Sequence, residues 1–252
     1  MDARRVLVGG VVADKPSRLV SPADPVVLRG EPPRFVSRGG GKLDAALERF
    51  AVPVAGRRAL DAGASTGGFT DCLLQRGAAV VHAVDVGHGQ LDARLRADPR
   101  VVLHERVNIR TATAVTLGGE GRPLAPVDLV TADLSFISLV AVAPVLAGPL
   151  LALDGDLVVL VKPQFEAGRA EVSRGKGVVR DPAVWRQVLG QVTSALEDAG
   201  TGIMGIMPSP ISGQAGNVEF LVHAAAGRPS AGELADGIDG AVGEAAVAAG
   251  RH

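Results

Sequence analysis

The chain of 252 residues contains no tyrosine, one tryptophan and six phenylalanines, so aromatic residues make up only 3% of it. That composition excludes an extended aromatic platform for stacking single-stranded nucleic-acid bases. A single cysteine, Cys72, excludes an internal disulfide and a cysteine-based metal site. The five histidines are scattered without ligand spacing, so no metal centre is expected. No apolar run reaches the roughly 18 residues that a spanning helix needs, and the N-terminus lacks the charged-then-apolar pattern of a secretory signal. A cytoplasmic protein without membrane association is the expectation. Net charge is −1, so no overall field announces a nucleic-acid partner, although a local basic patch is compatible with a neutral total.

Lysine is scarce as well: four residues, against twenty-two arginines. An ammonium can release its proton and act as a base, which a guanidinium cannot do. Lys42 lies in Ser37-Arg38-Gly39-Gly40-Gly41-Lys42-Leu43, and Lys162 closes the apolar run Leu157–Val161. Between them comes Asp133, in Thr131-Ala132-Asp133-Leu134-Ser135-Phe136, and after them Glu219, in Gly216-Asn217-Val218-Glu219-Phe220. All four sit at the edges of expected elements. Four such charges could also be two ordinary ion pairs on a protein rim.

Residues 1–35 read as a small β-rich unit or linker, with short apolar pieces separated by Gly9-Gly10, Lys15-Pro16 and Pro22. The spacing of Leu43, Ala46, Leu47 and Phe50 predicts a helix. Strands are expected at Arg58–Asp61, Val80–Asp85, Val101–Glu105, Val127–Ala132, Asp156–Val161, Ile203–Met207 and Val218–His223. Helices are expected at Gly68–Arg76, Ser138–Leu151 and from Asp181-Pro182 to Ala199, the last opened by an Asp cap and a first-turn Pro and closed at Gly200. Alternating strands and helices with apolar strands predict an α/β fold with a parallel sheet covered on both faces. Residues 227–252 form an Ala/Gly-rich tail, open between a short amphipathic helix and disorder.

The segment Asp61-Ala62-Gly63-Ala64-Ser65-Thr66-Gly67-Gly68-Phe69 joins the first of these strands to a helix. Its glycines would let backbone approach a ligand at the helix N-terminus. Asp85 ends the next strand, where an acid can bind a ribose hydroxyl pair, and Val86 follows it. This layout is generic for nucleoside cofactors. Its spacing departs from G-x-G-x-x-G, which disfavours NAD without by itself selecting S-adenosylmethionine. Tight strand–helix packing alone would also call for the glycines. Asn108 could reach an adenine edge or serve as a plain turn residue.

Taken together, SRGGGKL (37–43), LDAGASTGGFT (60–70), VDVGHGQL (84–91), DLSFIS (133–138), VKPQFE (161–166) and GNVEF (216–220) resemble the TlyA family of ribosomal RNA 2′-O-methyltransferases, often labelled haemolysins, within the FtsJ/RrmJ-like methyltransferases. The resemblance spans about residues 36–225. It implies a Rossmann-like class I methyltransferase domain over 36–226 with a seven-stranded, mostly parallel sheet. It implies S-adenosylmethionine as cofactor, held by Asp61, Gly63, Ser65, Gly67, Gly68, Phe69, Asp85, Val86, Asn108 and Asp133. It also implies a catalytic tetrad of Lys42, Asp133, Lys162 and Glu219 acting on a ribose of ribosomal RNA, at a cytidine. Relatives begin with an S4-type RNA-binding domain, of which residues 1–35 match only the second half.

A ribose hydroxyl is a poor acid, and Lys162 is the expected base. A free lysine amine has a pKa of about 10.4. Burial and Lys42 nearby would favour release of its proton, while Asp133 and Glu219 would oppose it, and sequence does not set the balance. Phe136 and Phe165 could stack on a flipped base or belong to the core. Loops at strand C-termini face the crevice of such a sheet. Arg169, Arg174, Lys176 and Arg180, with Arg34 and Arg38, are therefore the expected contacts to RNA phosphates of a ribosomal subunit. A small-molecule acceptor, a membrane-lytic protein and a non-catalytic RNA chaperone are the competing readings. Sequence leaves the oligomeric state open.

Overall fold

The computed structural model describes residues 6–15, 17–30, 33–119, 121–168, 175 and 177–250. The chain divides into two compact units, 1–34 and 35–252. In the first, β1 (Val6–Val8) pairs antiparallel with both β2 (Val11–Val12) and β3 (Val26–Leu28). Gly9 and Gly10, both at positive φ, make the tight turn between β1 and β2. Leu7, Val8 and Ala13 are buried, whereas every residue of β3 is exposed.

The second unit is built on a seven-stranded sheet: β4 (Arg58–Ala62), β5 (Val80–Asp85), β6 (Val101–Glu105), β7 (Val127–Ala132), β8 (Leu151–Val161), β9 (Thr201–Pro208) and β10 (Phe220–Ala226). The strand order is β6-β5-β4-β7-β8-β10-β9. β4 to β8 pair in parallel, and β10 runs antiparallel between β8 and β9. The order reverses between β4 and β7, which both begin the crevice where such sheets bind ligands.

Helices cover both faces. On one side α1 (Gly39–Arg49) and α2 (Gly68–Gln75) bury Leu43, Leu47, Phe69 and Leu73 against Leu129, Leu160 and Leu221. On the other, α4 (Leu139–Leu146), α6 (Pro182–Asp198) and α7 (Leu234–Ala249) cover Leu60, Val130, Leu157 and Phe220. The four-residue helices α3 (Ala93–Arg96) and α5 (Pro163–Glu166) follow β5 and β8. Asp181 caps α6 by accepting from the Ala183 N–H at 2.8 Å, and Pro182 occupies its first position. Trp185 is core; its indole N–H donates to Val179 O.

Several expected boundaries move, β9 for instance running from Thr201 to Pro208 rather than from Ile203 to Met207. The helix expected over 138–151 contains Pro144 and ends at Leu146, shortly before Gly148-Pro149. β8 starts at Leu151 rather than Asp156, with an irregular register opposite Val127–Leu129 of β7. The last strand runs from Phe220 to Ala226, two residues beyond the expected start. The tail after Gly227 contains a 16-residue helix, α7, whose Ile238, Ala241, Val242 and Ala245 are buried.

Candidate active site

Four loops converge at the C-terminal ends of β4, β7 and β8 and the N-terminal end of β10. They enclose a cavity of about 370 Å³, lined among others by Lys42, Asp133, Lys162, Glu219, Gly63, Ser65, Gly68 and Phe69. The four charged residues foreseen from sequence thus meet in one place, as two pairs. Lys42, on the first turn of α1, donates to Glu219 Oε2 at 2.5 Å, and both are almost wholly buried. The two residues lie 177 positions apart. Gly213 packs directly on the Glu219 carboxylate, so that a side chain there would collide with it. Ser209 N donates to Glu219 O.

Lys162 Nζ lies 2.6 Å from Asp133 Oδ1 and 3.0 Å from Ser135 Oγ, to which it donates. The Asp133 contact is an ion pair whose angles do not make it a directed hydrogen bond. The ammonium also sits 5.8 Å from the centroid of the Phe165 ring, within cation–π range. Phe165 in turn meets Phe136 at 5.0 Å. Phe136 is 92% exposed and carries a φ of 63°. Both rings line the cavity rather than the core.

The glycine loop is shaped by the protein as much as for a ligand. Gly63 has φ 84°, and a Cβ there would stand 2.5 Å from Asp133 O. Gly67 is the left-handed cap of α2 against Leu91 and Leu95, and Gly68 packs on the Ser37 hydroxyl. Asp85 accepts from Ser65 N at 2.8 Å and Gly87 N at 2.6 Å, which ties the loop to the end of β5. Its carboxylate keeps further lone pairs for a ribose diol. Val86 beside it is exposed. Asn108 is exposed and caps the 3₁₀ turn Ile109–Thr111 by accepting from Arg110 N at 3.0 Å. His88 faces solvent near Glu105.

Gly67, Asp85, Val86 and Asn108 lie outside the lining of this cavity, and so does Asp61. It is fully buried below the loop, where its oxygens accept from Thr70 Oγ1 at 2.7 Å and Thr131 Oγ1 at 3.3 Å. Burial pushes its carboxyl up to about 7; the Thr70 bond opposes that and the Asp133 charge adds to it. Glu166, raised by burial, accepts from Leu139 N and Ser138 Oγ at the start of α4.

Of the expected phosphate contacts, Arg38 is exposed at the cavity rim, and Arg34 is exposed in the first unit. Arg180 lines a different, more apolar cavity of about 840 Å³ beside Trp185 and Met207. Arg169, Arg174 and Lys176 lie outside the described residues. Sequence reasoning missed Ser135, Gln164 and Gly213. Ser135 stands two residues beyond Asp133 in the segment DLSFIS, and that proximity is the one signal that could have found it.

Strand order, glycine loop and the acid ending the neighbouring strand define a class I, Rossmann-like methyltransferase fold. A family model described as FtsJ-like methyltransferase matches residues 35–226. The 16S/23S rRNA (cytidine-2′-O)-methyltransferase TlyA of Mycobacterium tuberculosis is 49% identical over 221 residues, covering 87% of this chain and 80% of that protein. Hemolysin A of Brachyspira hyodysenteriae is 42% identical over 75% of this chain and 76% of its own. A solved structure described as a hemolysin from Streptococcus thermophilus superimposes with a TM-score of 0.81 at 39% identity, covering 98% of this chain and 90% of that one. The chain belongs to the FtsJ-like methyltransferase family, within its TlyA branch. No helix among the described residues is long and apolar enough to cross a membrane.

Proposed function

We propose that this protein transfers a methyl group from S-adenosylmethionine to the 2′-hydroxyl of a cytidine in ribosomal RNA, with Lys162 receiving the hydroxyl proton. The observation that carries this reading is the cavity itself: one lysine paired with Asp133 and Ser135, a second with Glu219, both beside the glycine loop. S-adenosylmethionine, when bound, supplies a methyl already activated on a sulfonium. The residues present fit such a donor. Asp85 can accept from a ribose diol, and Gly63 to Gly68 present backbone at the N-terminus of α2.

The difficult partner is the acceptor alcohol. Lys162 takes its proton as the oxygen attacks, and Asp133 stabilises the ammonium that results. Lys42 is engaged with Glu219 in a buried pair, and Lys162 is the amine assigned to the proton transfer. Arg38 at the rim is positioned for an RNA phosphate. Aligning oxygen, methyl and sulfur contributes alongside proton transfer.

The test is transfer of a labelled methyl from S-adenosylmethionine to isolated small and large ribosomal subunits, with Lys162→Ala in parallel. Incorporation at a ribose, reduced at least about 100-fold in the variant, is expected. Donor binding without incorporation into either subunit would instead favour a small-molecule acceptor.

A further inference from the structure

The Lys162 amine sits at the end of a flexible four-carbon stem and carries three equivalent donor positions. One close contact fixes where such a group is, but not which way its remaining positions point. Asp133 supplies charge at 2.6 Å without hydrogen-bond geometry. Among the described residues, the directed hydrogen bond to this amine goes to Ser135 Oγ, at 3.0 Å. Lys42 differs, because its amine is committed to Glu219 in a buried, directed bond. The two lysines therefore do different work, and Ser135 marks the difference.

Local structure explains why a serine stands there. Beyond Ala132 the chain leaves β7, and Asp133 and Ser135 both reach the Lys162 amine while Leu134, between them in sequence, is buried. Phe136, at φ 63°, then turns the chain away. Carboxylate and hydroxyl consequently approach the amine from one short segment after β7.

We propose that Ser135 is a positioning residue, whose hydroxyl orients the Lys162 amine so that its third tetrahedral position opens to the cavity and the acceptor hydroxyl. This rests on the functional reading above for the identity of the acceptor. With one N–H donated to Ser135 and the Asp133 charge beside it, the amine in its unprotonated form would present its lone pair to the acceptor. The acceptor proton moves to Nζ as its oxygen forms the new bond to carbon and the carbon–sulfur bond breaks. The product is a protonated Lys162 with both anchors unchanged.

The four-lysine composition makes the test direct. In protein labelled with ¹⁵N at lysine side chains, the Lys162 ammonium is assigned by its disappearance in Lys162→Arg. An ordered, slowly exchanging signal is expected in the wild type and in Ser135→Thr, and an averaged or absent one in Ser135→Ala. Methyl transfer should show kcat reduced roughly tenfold in Ser135→Ala, with the KM values and the calorimetric Kd for the donor within about twofold. Ser135→Thr, which keeps the hydroxyl, should recover most of kcat. An unchanged Lys162 signal in Ser135→Ala overturns the proposal. So does full kcat despite a lost signal, or threonine behaving as alanine does. Absence of transfer by the wild type would refute the functional reading instead, and the spectra, recorded without RNA, would then decide alone whether Ser135 orients the amine.

Discussion

Replacing Asp61 by asparagine tests the most heavily desolvated acid described in the fold. Asp61 is fully buried, and burial raises its carboxyl from 3.8 to about 7. The folded state therefore holds a proton that the unfolded chain has released throughout that interval. Where the folded state binds more protons than the unfolded one, stability falls as pH rises. The loss begins above the unfolded value, near 3.8, and is complete once pH exceeds the folded value, about 7. At 1.36 kcal/mol for each tenfold change in proton affinity, the full effect is on the order of 4 kcal/mol, an upper limit. Asparagine keeps the shape and cannot ionise. The hydroxyls of Thr70 and Thr131 can each donate or accept, so both bonds survive with one reversed. Urea unfolding of both proteins between pH 4.5 and 8.5 measures the effect, because the difference between them cancels the titrating groups not coupled to Asp61. Asp61→Asn should gain on the wild type as pH rises, by about 2–4 kcal/mol overall. Two unfolding free energies running parallel with pH would refute the reasoning.

Gly63→Ala should lose about 2–3 kcal/mol, because the site combines φ 84° with a Cβ only 2.5 Å from Asp133 O. The same substitution should weaken donor binding in a calorimetric titration, since relief of the clash moves the Asp133 segment. His82 sits half-buried with its Nδ1 3.2 Å from His104 Nε2. Burial, then the His104 and Arg58 charges, lower its pKa from 6.5 to about 4. A depressed histidine costs stability as pH falls through that interval, so His82→Gln should flatten the acid side of the stability curve, as read by thermal unfolding between pH 4 and 7.

Much of the fold was legible because local rules operate without knowledge of the partner. Val80–Asp85, Val101–Glu105 and Val127–Ala132 are apolar runs bounded by turn residues, and they are strands with those limits. The Asp181-Pro182 start of α6 needs only its own cap. Where the chain departed from expectation, a longer-range effect intervened. The early start of β8 depends on pairing Leu151 with Val127 across the sheet, which no local pattern encodes. The tail after Gly227 has small residues compatible with helix or coil, and burial of Ile238 and Val242 decides for helix. Asp61 shows the limit most sharply. Sequence placed it in the ligand loop, whereas alternation along β4 turns its side chain beneath that loop, toward Thr70 and Thr131.

By itself the sequence singled out the four charged residues that meet in one cavity. Two of four lysines, Asp133 and Glu219 each sit at or near an element edge, and backbone conformation and charge are properties of a residue and its neighbours. Only the tertiary structure decided who meets whom. Insertion of β10 between β8 and β9 brings Glu219 to Lys42 and leaves Lys162 with Asp133 and Ser135. Pairings across as many as 177 residues follow from how the sheet closes its apolar faces, and that is a property of the whole core rather than of any segment.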